Sequence, residues 1–512
     1  MAVVQEKELL CKEFLSRPKQ LLIDGKWVNS VSGKTFETLN PATEEVLCRV
    51  AEGGKEDVDK AVKAARRAFE TGPWRKMSTA ERARIMLRLA DLIEKHADEL
   101  AQIETLDNGK PINESRYVDV PQTVETFRYY AGWATKLEGE TINANTNFFT
   151  YTLREPVGVV GQIIPWNFPM LMLAWKWGPA LAAGNCVVLK PAEQTPLSAL
   201  RIGELALEAG FPDGVINIIT GFGADSAGEA ISHHMDIDKV AFTGEDKTGK
   251  LIVQASTSNL KRVSLELGGK NAQIVMNDAD QELALEAVLW GAFGTTGQRC
   301  TATSRLILHK DIHDEFLAKL IDRTNKLRLG YGNENKVDVG PCVSESQRAS
   351  VNDYVLIGKN EDKATLVTGG DFATEGDLAK GWFYKPTIFA DVKPGMRIEQ
   401  EEIFGPVLSV IKCEDFEDGI NILNGTKYGL SSSVFTKNVN DACRAIRDIK
   451  AGITYINGAT IGAEAHMPFG GVKQTGNGHR EGGWTVYDFY SEWKAVYIDY
   501  SGKLQRAQID NY

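Results

Sequence analysis

A doubly wound α/β architecture followed by a second α/β unit is what the sequence predicts, and three observations carry that expectation. Between Val157 and Thr243 short β-rich runs alternate with helical runs, the pattern of parallel strands joined by crossover helices. From about Gly268 the alternation begins again, with strand-like runs at Thr387 to Phe389, Val407 to Ile411 and Ile453 to Ile456. The chain of 512 residues also exceeds what one growing core accommodates, so two or three domains are expected.

The elements follow in order. Leu21 to Val28 is a strand, an Asp24-Gly25 turn and a second strand. From Lys55 to Glu70 the residues Val58, Ala61, Val62, Ala65 and Phe69 recur at helical spacing. Ser78 to Glu81 fits a capping box opening a helix with Ile85, Met86, Leu89, Leu92 and Ile93 on one side, and Asn108-Gly109-Lys110-Pro111 is its expected stop. Gly139 to Glu155 is rich in Thr, Asn, Phe and Tyr, compatible with an arm that pairs with another subunit or with a simple surface hairpin. Strands are expected at Val157 to Ile164, Cys186 to Leu189, Val215 to Thr220 and Val240 to Thr243, with helices at Pro169 to Leu181 and Pro196 to Ala209. The second unit includes helices from Gln281 and Asp311 and a Gly369-Gly370 turn, and the chain ends in an aromatic segment with a Val496-Tyr497-Ile498 strand and a polar tail, Ser501 to Tyr512.

Bulk properties remove some classes of function. With 58 Lys plus Arg against 69 Asp plus Glu the net charge is −11, which argues against a nucleic-acid binder with a general basic face. The seven cysteines form no Cys-x-x-Cys pair, so neither a disulfide framework nor a zinc site is indicated, and no metal is expected. Met1 to Lys19 lacks the apolar core of a signal peptide, and the apolar stretch Val157 to Leu189 is interrupted by Gln162, Asn167, Lys176 and prolines. A cytoplasmic protein without a membrane partner is expected.

Ligands of doubly wound sheets sit beyond the carboxyl ends of the strands, which directs attention to a few residues. Phe242 to Lys250 is a strand ending in a Gly turn and opening a helix; its Thr243 and Gly244 are suited to a pyrophosphate or simply to an ordinary βα turn. Gly221-Phe222-Gly223 has the wrong spacing for a dinucleotide fingerprint. Lys190 and Glu193 can both bond vicinal ribose hydroxyls, and a carboxylate there favours NAD over NADP, although a solvated Lys-Glu pair would look the same. Asn167, in a turn stiffened by Pro165 and Pro169, can donate to an oxyanion. Glu266 is a lone acid within an apolar strand, where burial would raise its pKa toward general-base work. Cys300, between Arg299 and small hydroxyl residues such as Thr301, has a positive neighbour and room to face a cavity.

Seven motifs then converge: Ile163-Ile164-Pro165-Trp166-Asn167-Phe168-Pro169, Lys190-Pro191-Ala192-Glu193, Phe242-Thr243-Gly244, Leu265-Glu266-Leu267-Gly268-Gly269-Lys270, Gly297-Gln298-Arg299-Cys300, Glu402-Ile403-Phe404-Gly405-Pro406 and Pro468-Phe469-Gly470-Gly471. With them the chain, from about Leu21 to Trp493, resembles the NAD(P)-dependent aldehyde dehydrogenases. The stretch from Leu21 to Gly244 is similar to their broad-specificity members, and Asn271 to Ser304 and the end from Thr475 onward are similar to bacterial semialdehyde dehydrogenases.

The resemblance implies the aldehyde dehydrogenase fold: a Rossmann-like NAD-binding domain (1–137 and 152–267), an α/β catalytic domain (268–478), and an oligomerisation arm and tail (138–151 and 479–512) serving a homotetramer or a homodimer. It implies Cys300 as nucleophile, Glu266 as base and Asn167 as oxyanion donor. Ile163, Trp166, Lys190, Glu193, Gly223, Thr243, Gly244, Glu402 and Phe404 would bind cofactor, and Gln122, Trp175, Arg299, Thr301 and Phe469 would surround the aldehyde. Gly294 stands where broad-specificity members have a large aromatic, and with Arg299, Glu464 and His466 it suggests a wider, partly polar entrance. Glu245 replaces the Ser of many relatives, and Gly478-His479-Arg480-Glu481 carries one residue more than usual. The implied activity is NAD-dependent oxidation of an aldehyde to its acid. A coenzyme A-acylating semialdehyde dehydrogenase and a non-catalytic protein on the same fold are the alternatives.

Overall fold

The computed structural model describes residues 9–144, 147–334 and 336–503. A first seven-stranded sheet runs Arg262–Glu266, Lys239–Thr243, Val159–Ile163, Cys186–Lys190, Ile216–Ile218, Leu21–Ile23, Lys26–Val28. Its first five strands are parallel and the terminal hairpin is antiparallel. A second seven-stranded sheet runs Thr365–Thr368, Thr387–Ala390, Val407–Cys413, Thr303–His309, Asn271–Val275, Ser431–Phe435, Ile453–Ile456, parallel except at its first strand.

Both faces of the second sheet are covered, which is why its strands read as continuous apolar runs. Alternate residues feed opposite cores: Ile274, Ile307, Phe389 and Ile411 enter one, while Val275, Leu306, Leu308, Ile388 and Val410 enter the other. A larger core fills the first sheet's surroundings, where the helix Lys55–Glu70 buries Val58, Ala61, Val62 and Ala65.

One feature differs from the sequence-based expectation. The helix opened by the Ser78–Glu81 capping box ends at Lys95, and a separate helix, Ala97–Asn108, follows. His96 leaves helical geometry between them and its Nδ1 lies 2.9 Å from Glu99 Oε2, which closes the corner locally. Gly109 does cap the second helix, with φ +93°. The segment Gly139 to Glu155, whose residues 145 and 146 lie outside the described ones, joins the chain's end in a small three-stranded sheet. Its strand Phe148–Pro156 pairs antiparallel with Ser491–Asp499 and carries Thr141–Ile142 on its other edge. The polar tail from residue 504 onward and residues 1–8 lie outside the described residues.

Near the amino end of its strand, Thr303–His309, in the second sheet, Arg305 is fully buried. Its guanidinium donates to Glu399 at 2.7 Å and to the carbonyls of Lys270, Ile422 and Leu423 at 2.8–2.9 Å. One side chain thus ties the strand after Lys270 to the helix preceding Glu402 and to the end of a third helix. Arg305→Ala strips the buried Glu399 carboxylate of its counter-charge and removes a donor from three carbonyls, and is expected to cost about 3–5 kcal/mol in chemical denaturation. Arg49→Ala, which removes the exposed pair with Glu37, is expected to cost at most about 1 kcal/mol in the same measurement.

Candidate active site

A cavity of about 1000 Å³ opens beyond the carboxyl ends of the first sheet and reaches the second. Each parallel strand delivers a side chain to it. After Val159–Ile163 the chain turns through Pro165, Trp166 and Asn167 before Pro169 starts the next helix. After Cys186–Lys190 comes Glu193, whose carboxylate is 3.0 Å from Lys190 Nζ. After Lys239–Thr243 come Gly244 and Glu245, and Glu245 caps the helix Asp246–Ser256 without a side-chain bond to that helix's first N–H groups. The strand Arg262–Glu266 ends on Glu266 itself.

Cys300 arrives from the second unit. The helix Gln281–Phe293 gives way to a tight turn in which Gly297, at φ +67°, comes so near the Gly405 carbonyl that a Cβ would lie 2.2 Å from its oxygen. Only glycine closes this turn. Asn271 Nδ2 then holds the Cys300 carbonyl at 2.7 Å, and Asn167 Nδ2 donates to the Gln298 carbonyl at 3.0 Å. The nucleophile loop and the candidate oxyanion donor are therefore bonded to each other.

Burial dominates the electrostatics. The Glu266 carboxyl is pushed well above the ordinary range by burial and then by the charge of Glu481, with Lys176 and Arg480 opposing. Its Oε2 has no hydrogen-bond partner. Burial, reinforced by Glu402 and Glu266, pushes the Cys300 thiol up to about 12, so the resting group is neutral. Glu402, raised to about 7 mainly by burial, accepts the Gly269 N–H at 2.9 Å. A Cβ on Gly268 would lie 2.0 Å from this carboxylate.

Cys300, Glu266, Asn167, Ile163, Trp166, Lys190, Glu193, Gly223, Thr243, Gly244, Glu402, Phe404 and Phe469 all line the cavity. Trp175 packs edge-on against Phe469 at 4.8 Å, in an apolar cluster that also touches Phe168, Met172 and Cys300. Of the five expected substrate contacts only Phe469 lines the cavity; Trp175 backs it, and three others lie elsewhere. Arg299 is buried and ion-paired with Glu114 at 2.8 Å, so its charge serves neither the entrance nor the thiol. Thr301 is buried, and its carbonyl accepts the Thr460 hydroxyl. Gln122 lies on the helix Val120–Trp133, away from the lining.

The other elements of the expected polar entrance change as well. Glu464 and His466 pair with each other at 3.1 Å on an exposed segment. Gly294 leaves no gap, because a Cβ there would lie 2.8 Å from the Trp290 ring. Conversely, Lys176 escapes the sequence reading. It is fully buried, donates to Thr243 Oγ1 at 2.6 Å and is bonded to Glu481, beside Glu266. Its signal is a single Lys inside an otherwise apolar helix, Pro169–Ala183. Among the described residues no group of three or more His, Cys, Asp or Glu side chains could hold a metal ion.

Residues 27–496 match the aldehyde dehydrogenase family. The chain is 51% identical to the mitochondrial aldehyde dehydrogenase family 2 member B4 of Arabidopsis thaliana over 478 residues, covering 93% of this chain and 87% of that protein. It superposes on the NAD+ complex of an aldehyde dehydrogenase from Bacillus cereus with a TM-score of 0.94 at 48% identity, over 97% of this chain and 99% of that one. A betaine aldehyde dehydrogenase from Staphylococcus aureus in complex with NAD+ gives a TM-score of 0.94 at 40% identity, over 97% and 98% of the two chains. With this agreement in sequence and fold, and with the cavity-lining motifs in place, the chain belongs to the aldehyde dehydrogenase family.

Proposed function

We propose that this protein oxidises an aldehyde to the carboxylic acid with NAD, through a thiohemiacetal and then a thioester on Cys300. The observation that carries the proposal is that Cys300, the unpartnered Glu266 carboxyl and Asn167 open onto the same cavity.

The residues present fit NAD. The Lys190–Glu193 pair offers a cation and a carboxylate to a vicinal diol, and the carboxylate disfavours a 2′-phosphate. The helix Asp246–Ser256 leaves its first N–H groups uncapped by a side chain, ready for a pyrophosphate. When bound, NAD supplies the hydride acceptor that converts the thiohemiacetal into the thioester.

The protein's own groups perform the remaining steps. Cys300 Sγ bonds to the aldehyde carbon while its proton passes to the Glu266 carboxylate, because a thiol at about 12 needs a base at the moment of attack. The Asn167 amide and the Cys300 backbone N–H donate to the developing oxyanion. Glu266 then releases the thiol proton to solvent and is a carboxylate again. Water attacks the thioester carbon and yields its proton to Glu266, which hands it to the Cys300 sulfur as the C–S bond breaks, so that the acid departs and the thiol is restored. Phe168, Met172 and Phe469, the last backed by Trp175, offer the aldehyde an apolar wall, which supports uncharged, apolar aldehydes over semialdehydes.

The assignment of 1–137 and 152–267 to cofactor binding, 268–478 to catalysis, and 138–151 with 479–512 to assembly is part of the same proposal. A homotetramer is supported by the exposed Phe149, Leu153, Trp493, Tyr497 and Ile498 on the paired strands Phe148–Pro156 and Ser491–Asp499. Seven free cysteines support a reducing compartment such as the cytoplasm. Among the described residues, no helix is long and apolar enough to cross a membrane.

Four outcomes are expected. In a panel of aldehydes with NAD and NADP, NADH formation should be found with NAD, favour apolar over carboxylated aldehydes, and disappear in Cys300→Ala; activity surviving that substitution overturns the mechanism. The rate should rise with pH from acid through neutrality, because a base whose pKa is raised by burial is active only above that pKa, and Glu266→Gln should abolish this limb.

Glu245 places a carboxylate at the pyrophosphate end of the cavity, held by the Thr248 hydroxyl at 3.1 Å. Glu245→Ser should therefore tighten NAD severalfold by titration, and an unchanged or weaker dissociation constant removes the idea. Sedimentation should give a tetramer that Tyr497→Glu shifts toward smaller species; a monomeric parent contradicts the assembly.

A further inference from the structure

The loop that delivers Cys300 is held in a shape its own residues disfavour. Thr295 and Thr296 have φ of +52° and +57°, left-handed values that β-branched side chains avoid. Partners outside the loop must hold them: Thr296 donates its hydroxyl to the Gly340 carbonyl at 2.9 Å, and Glu114 holds Thr295. Its carboxylate accepts the Thr295 backbone N–H at 2.9 Å, the Thr295 hydroxyl, and the Arg299 guanidinium at 2.8 Å. Arg299 Nε closes the circuit by donating to Thr295 Oγ1 at 2.8 Å. Both charged side chains are nine-tenths or more buried, and neither lines the cavity that Cys300 faces.

Two further contacts carry the clamp to the reacting groups. Gln298, within the clamped turn, presents its carbonyl to Asn167 Nδ2 at 3.0 Å and accepts the Val343 N–H at 3.0 Å on its side chain. From the same segment as Glu114, Lys110 donates to the Asn167 carbonyl at 2.8 Å and to Asp119 at 2.7 Å. Glu114 also stands where the helix Ile112–Glu114 passes into a π-helical turn, Ser115–Asp119. Such turns recur where a side chain must be re-aimed at a functional site.

We infer that Glu114, acting through Thr295 and Arg299, is a positioning residue that sets the reach of Cys300 and Asn167 to the aldehyde carbonyl. The inference rests on the catalytic reading of those two residues. It also gives Arg299 a task that its place beside the sulfur does not suggest: it fixes the loop and leaves the thiol neutral.

The test uses the full-length protein and two readouts, steady-state kinetics and the rate at which iodoacetamide alkylates Cys300, followed by mass on the peptide that contains it. Glu114→Gln keeps the shape of the side chain but removes the charge. It should lower both kcat and the alkylation rate about tenfold to a hundredfold while KM changes less than about twofold. Thr295→Gly accepts the left-handed backbone freely, so adding Glu114→Gln to it should cost less than about threefold. Should Glu114→Gln not fold, Arg299→Lys, which keeps the charge but loses the donation to Thr295, takes its place with the same expectation. A variant that melts earlier yet reacts and turns over at the parent rate overturns the inference, as does a loss equally large in the Thr295→Gly background. The catalytic reading is tested separately by the parent's turnover and its loss in Cys300→Ala, since alkylation requires neither NAD nor turnover.

Discussion

Desolvation of ionisable groups is the constraint on which the rest of this site depends. Where two sheets meet end to end, the fold buries a thiol, two carboxyls and a lysine within one cavity wall, and burial is the first cause of every raised pKa there. A buried charge is tolerated only with a partner. The structure supplies partners selectively: Lys176 has Glu481 and Thr243, Arg299 has Glu114, Arg305 has Glu399, while one oxygen of Glu266 has none. Among these four, the group proposed as the base is the one left incompletely satisfied.

This selectivity also explains why the thiol is neutral at rest. An arginine adjacent in sequence suggests a thiolate stabilised by charge. In space the guanidinium is neutralised by Glu114 and lies 4.7 Å from the Trp290 ring and 5.4 Å from that of Phe168, so it exerts its effect through geometry. Ionisation of Cys300 is thereby tied to the presence of a base and a carbonyl, which protects a free cysteine from reacting out of turn.

The parts legible in the sequence were those fixed by local pattern. Strand ends identify the ligand face of a doubly wound sheet, so the sequence alone places Asn167, Lys190, Glu193, Thr243, Gly244 and Glu266 where the cavity lies. The parts that escaped depend on contacts between distant residues. Arg299 and Glu114 are 185 positions apart, Lys176 and Glu481 are 305 apart, and Phe148–Pro156 finds its partner strand only at Ser491–Asp499. No composition window reveals such pairs. The corner at His96 was missed for a different reason: the residues on both sides of it favour helix, and only non-helical geometry at one position separates them.

What selects among aldehydes then follows by elimination. The groups that suggested a polar entrance are engaged elsewhere, Arg299 with Glu114 and Glu464 with His466 on an exposed segment. The side chain absent at Gly294 is replaced in space by the ring of Trp290, which Arg299 stacks against. The walls nearest Cys300 are Phe168, Met172, Trp175 and Phe469, and Trp175 and Phe469 lock each other edge to face. A carboxylated aldehyde would bring a charge into this space and find no partner for it, whereas an apolar aldehyde loses only water. Discrimination at this site therefore rests on shape and desolvation, the same constraint that keeps the thiol neutral and the base unsatisfied.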